Sequence, residues 1–219
     1  MSSIYTEKWV LFLDILGFGD IINNKEDGYK ESEEFAEMVL PLFDEILNEL
    51  QKDSYFEIFG MSISQFSDTF VVSSNSDILI MGVAKIIQSR LLKENLLSRG
   101  AITYGKVFHN GSHFHNGSQF IGPAITSAYN LEKSEAIYPR VIIDPDCEGD
   151  LKISLMTNWN NLNKDFDGYQ YVPFINGFQL SDDIQKKINE LYEKYKNTKH
   201  RGKYTWLKQK ADEFVQNTK

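Results

Sequence analysis

The residues best suited to chemistry are two aspartates, Asp14 and Asp68, each beside a strand-like stretch of sequence. Asp14 interrupts the apolar run from Trp9 to Leu16, which is typical of a strand buried on both faces. Asp68 lies in the turn that we predict between the second and third strands. No Lys or Arg flanks either aspartate, and a carboxylate without a positive partner is costly to bury. A shared divalent cation would offset that cost, because Mg²⁺ binds one or two carboxylates together with substrate phosphates.

Both aspartates also have an ordinary structural interpretation, which stays open at this point. Asp14 could cap a turn, and Asp68 could be a turn residue that accepts backbone hydrogen bonds. The stretch from Ile15 to Asp20 favours the metal interpretation, because its backbone N–H groups follow Asp14 directly and suit phosphate oxygens.

The elements that would position these aspartates follow from the spacing of apolar residues. Steps of three and four predict amphipathic helices over residues 31–51 (with a kink at Pro41), 77–96 and 124–133. Strand-like runs occupy residues 9–16, 55–63, 69–73, 99–108 and 140–144, and residues 109–118 are predicted to be an exposed hairpin tip. In chain order, the first six elements give β-α-β-β-α-β, the ferredoxin-like or palm arrangement. We therefore expect an α+β fold with a palm domain over residues 1–145.

The rest of the chain, residues 146–219, is predicted to be a helical C-terminal extension. Residues 145–179 are rich in Asp, Asn and Gly and show little regular pattern. Residues 181–217 return to helical spacing, with a break near Gly202. The segment from Lys203 to Leu207 carries an aromatic anchor, Trp206, that could dock on the domain or on a second subunit.

Composition limits the classes of protein that remain. The 219 residues are 42% hydrophobic, which is enough for a substantial core, and the net charge of −8 argues against binding duplex nucleic acid. Cys147 is the one cysteine, so no disulfide framework is expected. The N-terminus shows no signal-peptide pattern, and the apolar runs fall short of the ~20 residues that span a bilayer. We expect a cytoplasmic protein without nucleic-acid or membrane partners.

Four linked segments resemble the catalytic domains of class III nucleotidyl cyclases. They are LFLDILGFGDI (11–21), SISQFSDTFVVSS (62–74), LLSRGAITYGKVF (96–108) and FIGPAITSAYNLE (120–132). Within that family, the chain resembles short bacterial cyclase-like proteins, a group that includes the pyrimidine cyclases of antiphage signalling.

The resemblance implies a site and a reaction. Two ions, Mg²⁺ or Mn²⁺, would bind the carboxylates of Asp14 and Asp68 and the carbonyl of Ile15. The loop of Gly17, Phe18 and Gly19 would hold the triphosphate of a nucleoside triphosphate. The ribose 3′ oxygen would attack the α-phosphorus, and pyrophosphate would leave. The family also implies a homodimer whose active sites are shared across the interface.

The sequence departs from the family at four positions. The transition-state asparagine and arginine of the family align with Thr126 and Asn130, and its purine-selecting lysine and aspartate align with Ser64 and Pro123. Such an arginine can be worth on the order of 10³-fold in rate. Two hypotheses follow: a cyclase with changed catalytic and base-binding positions, or a catalytically silent module that binds a nucleotide or a partner protein. Arg99 and Arg140 could reach the triphosphate or could be structural anchors.

Overall fold

The structure is a computed structural model that describes residues 5–22, 30–52, 58–110, 119–151, 162–175 and 181–217. Within these ranges the strands are β1 (Thr6–Ile15), β2 (Ser62–Phe66), β3 (Thr69–Ser74), β4 (Ser98–Asn110), β5 (Gln119–Ile121), β6 (Val141–Ile143), β7 (Asn163–Lys164) and β8 (Gln170–Val172). The α-helices are α1 (Phe18–Ile22), α2 (Lys30–Gln51), α3 (Asp77–Lys93), α4 (Pro123–Glu135), α5 (Asp182–Tyr195) and α6 (Arg201–Asn217), and a 3₁₀ helix spans Pro145–Asp150.

One mixed sheet organises the molecule, with strand order β2-β3-β1-β4-β6-β8-β7 and β5 paired to the end of β4. The central strand β1 is antiparallel to β3 and β4, whereas β4 and β6 are parallel. The predicted α+β palm is confirmed. The sheet continues past residue 145, because β8 pairs with β6, and the division into two domains there stays a prediction.

Helices cover the two faces of the sheet differently. Alternate residues of β1, such as Leu11 and Leu13, pack with α2 and α3 in the largest core cluster. The other residues of β1, such as Val10, pack against Ala124 and Ala128 of α4. Because α4 contacts β1 and β4, it lies on the face of β1 to which Asp14 belongs by alternation.

A buried charge network fastens the C-terminal helix α6 to the sheet. The fully buried guanidinium of Arg140 makes ion pairs with Asp165 and Asp167. Trp206 Nε1 donates a hydrogen bond to Asp165 Oδ2 at 2.6 Å, and Lys210 Nζ lies 3.4 Å from Asp165 Oδ1. Burial alone would raise the pKa of Asp165, but the Trp206 hydrogen bond and the charge of Arg140 lower it overall. Arg140 is therefore a structural anchor.

Several predicted boundaries are wrong. Residues 55–57 of the strand predicted at 55–63 lie outside the described residues, and β2 spans Ser62–Phe66. The turn is only Ser67-Asp68, where Ser67 adopts a left-handed φ of 54°. The loop expected at Gly17, Phe18 and Gly19 runs into the short helix α1, which begins at Phe18. The break predicted near Gly202 is confirmed at residues 196–200, although Gly202 itself is inside α6. Helix α2 continues through Pro41, and the kink at this residue stays a prediction.

The predicted hairpin tip falls largely on residues 111–118, which lie outside the described residues. On either side of it, β4 and β5 pair antiparallel. In the part of the chain that the structure describes, no helix is both long and apolar enough to cross a membrane.

The buried network predicts a large stability cost for Asp165→Ala. This change leaves the Arg140 guanidinium buried without its main carboxylate, which typically costs about 3–5 kcal/mol. Urea denaturation measures the loss. The control is Glu190→Ala, which breaks the pair with Lys186 whose side chains are 78% and 64% exposed and should cost no more than about 0.5 kcal/mol. Equal losses in the two variants would contradict the prediction.

Candidate metal and nucleotide site

The sheet register fixes the surroundings of Asp14. Thr69 of β3 and Arg99 of β4 lie directly opposite Asp14 on either side. Directly opposed residues project from the same face of a sheet, so these three side chains form one row. Thr69 Oγ1 donates a long hydrogen bond of 3.5 Å to Asp14 Oδ1.

The β2–β3 turn brings Asp68 against the end of β1. The backbone N–H of Ile15 donates to the carbonyl of Asp68 at 3.1 Å. The carboxyl groups of Asp14 and Asp68 lie within hydrogen-bonding reach of each other. Burial raises the pKa of Asp14 to about 7, and the charge of Asp68 acts in the same direction. The two aspartates that the sequence singled out therefore share one site.

Glu132 is a third acid at this site, and the sequence reasoning missed it. It lies in the last turns of α4, in register with the buried Ala124 and Ala128, and is 3% exposed. Its Oε1 atom is 2.6 Å from Arg99 Nε but off the hydrogen-bonding direction. Burial raises the pKa of Glu132, while Arg99 opposes that shift. The sequence did contain a signal for Glu132. It follows Ala124 and Ala128 at steps of four residues, which places all three on the same buried face of one helix.

The loop after β1 is exposed at its glycines. Gly17 has a φ of +81°, a left-handed conformation that favours glycine, and a Cβ at this position would have no atom within 4 Å of it. The ring of Phe18 packs edge-on against Phe35 of α2 at 5.3 Å between centroids. Phe18 can therefore contact a phosphate through its backbone, whereas its side chain belongs to the core.

The other sequence-predicted positions lie apart from the two aspartates. Thr126 and Asn130 are exposed, one turn apart, on the side of α4 opposite the buried Ala128. Ser64 of β2 is half-buried and paired with Val71 of β3. It lies on the same sheet face as Asp14, but two strands away.

A second missed residue is Lys203 in the first turn of α6. Burial and the nearby Arg99 guanidinium lower the pKa of Lys203, while the carboxylates of Asp20 and Asp14 act in the opposite direction. The C-terminal helix therefore contributes a cation to the surroundings of Asp14. From the sequence, Lys203 was only part of an amphipathic helix, because nothing local indicates where that helix docks.

The oxygen ligands available at this site suit a divalent cation that also binds water or substrate oxygens. Among the described residues, no group of three or more His, Cys, Asp or Glu side chains is arranged to hold a metal. The Asp14 and Asp68 pair fits Mg²⁺ or Mn²⁺, whose remaining ligands come from water and phosphate. The side chain of Ile15 is buried in the core, so only its backbone carbonyl is available as a ligand.

If the carboxylate of Asp14 binds a ligand and does not stabilise the fold, Asp14→Asn should stabilise the metal-free protein. The raised pKa means that the folded state disfavours the ionised form of Asp14. The free energy of unfolding therefore decreases as the pH rises from about 4 to 7, and it stays at the lower value above pH 7. We expect Tm to rise by ~2–4 °C at pH 8, equivalent to about 1 kcal/mol, and by less at pH 5. Asp44→Asn, an exposed aspartate on α2, is the matched control. A lower Tm for Asp14→Asn at pH 8 would assign Asp14 a structural role.

Comparison with known proteins supports the fold. No family model and no curated protein matches the sequence. A bacterial light-regulated adenylyl cyclase matches with a TM-score of 0.51 and 18% identity, over 86% of this chain and 57% of that chain. The adenylyl cyclase CyaB from P. aeruginosa matches with a TM-score of 0.46 and 20% identity, over 81% and 99% of the two chains. The guanylate cyclase domain of RhGC from Catenaria anguillulae, in complex with GTP, gives 0.44 and 14%, over 77% and 97%. The first of these matches shows the fold: the chain shares the palm fold of an adenylyl cyclase domain.

Proposed function

We propose that this protein is a metal-dependent nucleotidyl cyclase that converts a nucleoside triphosphate into a 3′,5′-cyclic nucleotide and pyrophosphate. The observation that carries the proposal is the pair of half-buried carboxyls, Asp14 and Asp68, within reach of each other at the end of the central strand of a cyclase fold.

Each part of the site has a role in this reaction. Asp14, Asp68 and the Ile15 carbonyl are the proposed ligands of two Mg²⁺ or Mn²⁺ ions, which when bound lower the pKa of the 3′ hydroxyl and offset phosphate charge. The exposed backbone of Gly17 and Gly19 is the proposed contact for phosphate oxygens. The ribose 3′ oxygen forms a bond to the α-phosphorus, its proton passes to solvent, and the bond to pyrophosphate breaks.

The exposure of Thr126 and Asn130 supports a homodimer. Their side of α4 faces away from the sheet that carries Asp14. A role for these side chains in the reaction therefore requires a second copy of the chain, whose site they would complete.

The base and the biological setting rest on the resemblance alone. Ser64 and Pro123 occupy the purine-selecting positions of the family, so recognition of a purine by that route is not supported. Pyrimidine triphosphates are accordingly the first substrates to test. Antiphage signalling is the setting that the resemblance implies.

A catalytically silent, nucleotide-binding module is the second candidate. Its support is the absence of a guanidinium at position 130, where Asn130 offers only a neutral amide to a highly charged transition state. Such a module would keep the metal and phosphate contacts but would not turn over.

Turnover distinguishes the two candidates. Purified protein is incubated with Mn²⁺ and each of the four ribonucleoside triphosphates, and pyrophosphate and cyclic product are measured. We expect product from at least one triphosphate and a loss on the order of 10²-fold or more in Asp14→Asn and Asp68→Asn, since removing a direct ligand exceeds the 10–100-fold typical of outer-shell changes. Asp44→Asn should retain full activity. Binding of triphosphate without any turnover would contradict the cyclase and favour the silent module.

Complementation tests the shared site. Asp14→Asn and Asn130→Ala chains are each expected to be impaired as homodimers. After mixing and subunit exchange, half of the dimers contain one site with both residues intact, so activity should recover to roughly a quarter of the wild-type level. Mixtures that show only the average of the two parent activities would contradict a site shared in this way.

A further inference from the structure

The C-terminal helix α6 and the loop that follows Asp14 pack against one hydrophobic cluster. Leu16, at the start of this loop, belongs to the same hydrophobic cluster as Tyr204, Trp206 and Leu207 of α6. The backbone N–H of Leu16 donates to the carbonyl of Leu97 at 2.8 Å, which fixes the loop to the start of β4. The first turns of α6 and the residue after β1 therefore meet the same buried cluster, on the sheet face to which Asp14 belongs.

The position of α6 is set by contacts away from the loop. Trp206 donates to the buried Asp165 at 2.6 Å and stacks on Tyr138, with ring centroids 6.1 Å apart. Lys210, one turn further along, also lies against Asp165. Residues three apart on a helix share a face, so the anchor at Trp206 determines where Lys203 lies.

Lys203 differs from the neighbouring cations in having no counter-ion within the part of the chain that the structure describes. Among the described residues, its ammonium makes no ion pair within 4.0 Å and no side-chain hydrogen bond. Arg99 is engaged by Glu132, and Lys208 of the same helix is paired with Asp212 at 3.0 Å. Burial and the Arg99 charge lower the pKa of Lys203. An anion bound between Lys203 and Arg99 would offset both the repulsion between the two cations and the loss of solvent around the Lys203 ammonium.

We propose that Lys203 binds the terminal phosphates of the nucleotide and does so in cis, from a helix outside the predicted palm. The two observations behind it are the hydrophobic cluster that Leu16 shares with α6, and the half-buried ammonium of Lys203, which has no ion-pair partner among the described residues and feels the charges of Asp14 and Asp20. A lysine is a point charge suited to phosphate oxygens. The C-terminal helix is then part of the substrate site rather than an appendage to it.

The inference rests on the proposed function of the Asp14 site, and a binding measurement separates the two. Isothermal titration of the full chain with Mn²⁺ and inorganic tripolyphosphate reports on phosphate contacts without any cyclisation. Lys203→Met keeps the aliphatic stem and removes the charge, so we expect affinity to fall roughly 10- to 100-fold, the effect of losing one charge-assisted hydrogen bond. Lys203→Arg should retain most of the affinity.

The controls exclude a general effect on α6. Lys208→Met removes a paired lysine from the same helix and should bind as the wild type does. The Tm of Lys203→Met without ligand should equal or exceed that of the wild type, because a half-buried, unpaired ammonium has been removed.

The outcomes separate the role of Lys203 from that of the aspartates. Wild-type affinity in Lys203→Met, with binding lost in Asp14→Asn, would overturn the inference and leave the cyclase proposal intact. Weak binding by Lys203→Met in a protein that turns over no triphosphate would support the inference and contradict the cyclase. Absence of tripolyphosphate binding by the wild type would overturn the inference.

Discussion

Two carboxyl groups, those of Asp14 and Asp68, are held close together in a half-buried position, and the sheet leaves them little room to separate. Asp14 is fixed by its opposite neighbours Thr69 and Arg99, and Asp68 is fixed by the hydrogen bond that its carbonyl accepts from Ile15. Burial and mutual repulsion raise the pKa of Asp14 to about 7. A fold that maintains such a pair gives up stability at this point, which is characteristic of a binding site rather than of a structural contact.

The same protein pairs a buried charge with opposite charges where the charge is structural. Arg140 and Asp165 are removed from solvent and form an ion pair with each other, Asp167 adds a second carboxylate to Arg140, and Trp206 donates a hydrogen bond to Asp165. This difference argues against a general tolerance of unpaired buried charge. The paired network also has a consequence at a distance, because it fixes α6 and thereby sets the position of Lys203, which feels the charge of Asp14.

How much the sequence could predict depended on how local each signal was. The strand around Asp14 is a continuous apolar run, and the long helices repeat with a helical period, so these elements and the palm order were predictable. Strand β2 was misplaced because Ser64 and Gln65 look like turn residues, although they pair in register with β3. Glu132 and Lys203 could not be assigned, because their roles depend on which sheet face α4 covers and where α6 docks, and both are tertiary facts.

The most direct test of the shared metal site is crystallographic. Crystals grown with Mn²⁺ and tripolyphosphate can be measured at a wavelength where manganese scatters anomalously. We expect manganese density at coordination distance from carboxylate oxygens of both Asp14 and Asp68. Manganese bound elsewhere, or density touching only one of these carboxylates while the other pairs with Arg99 or Lys203, would contradict a metal site built on this pair.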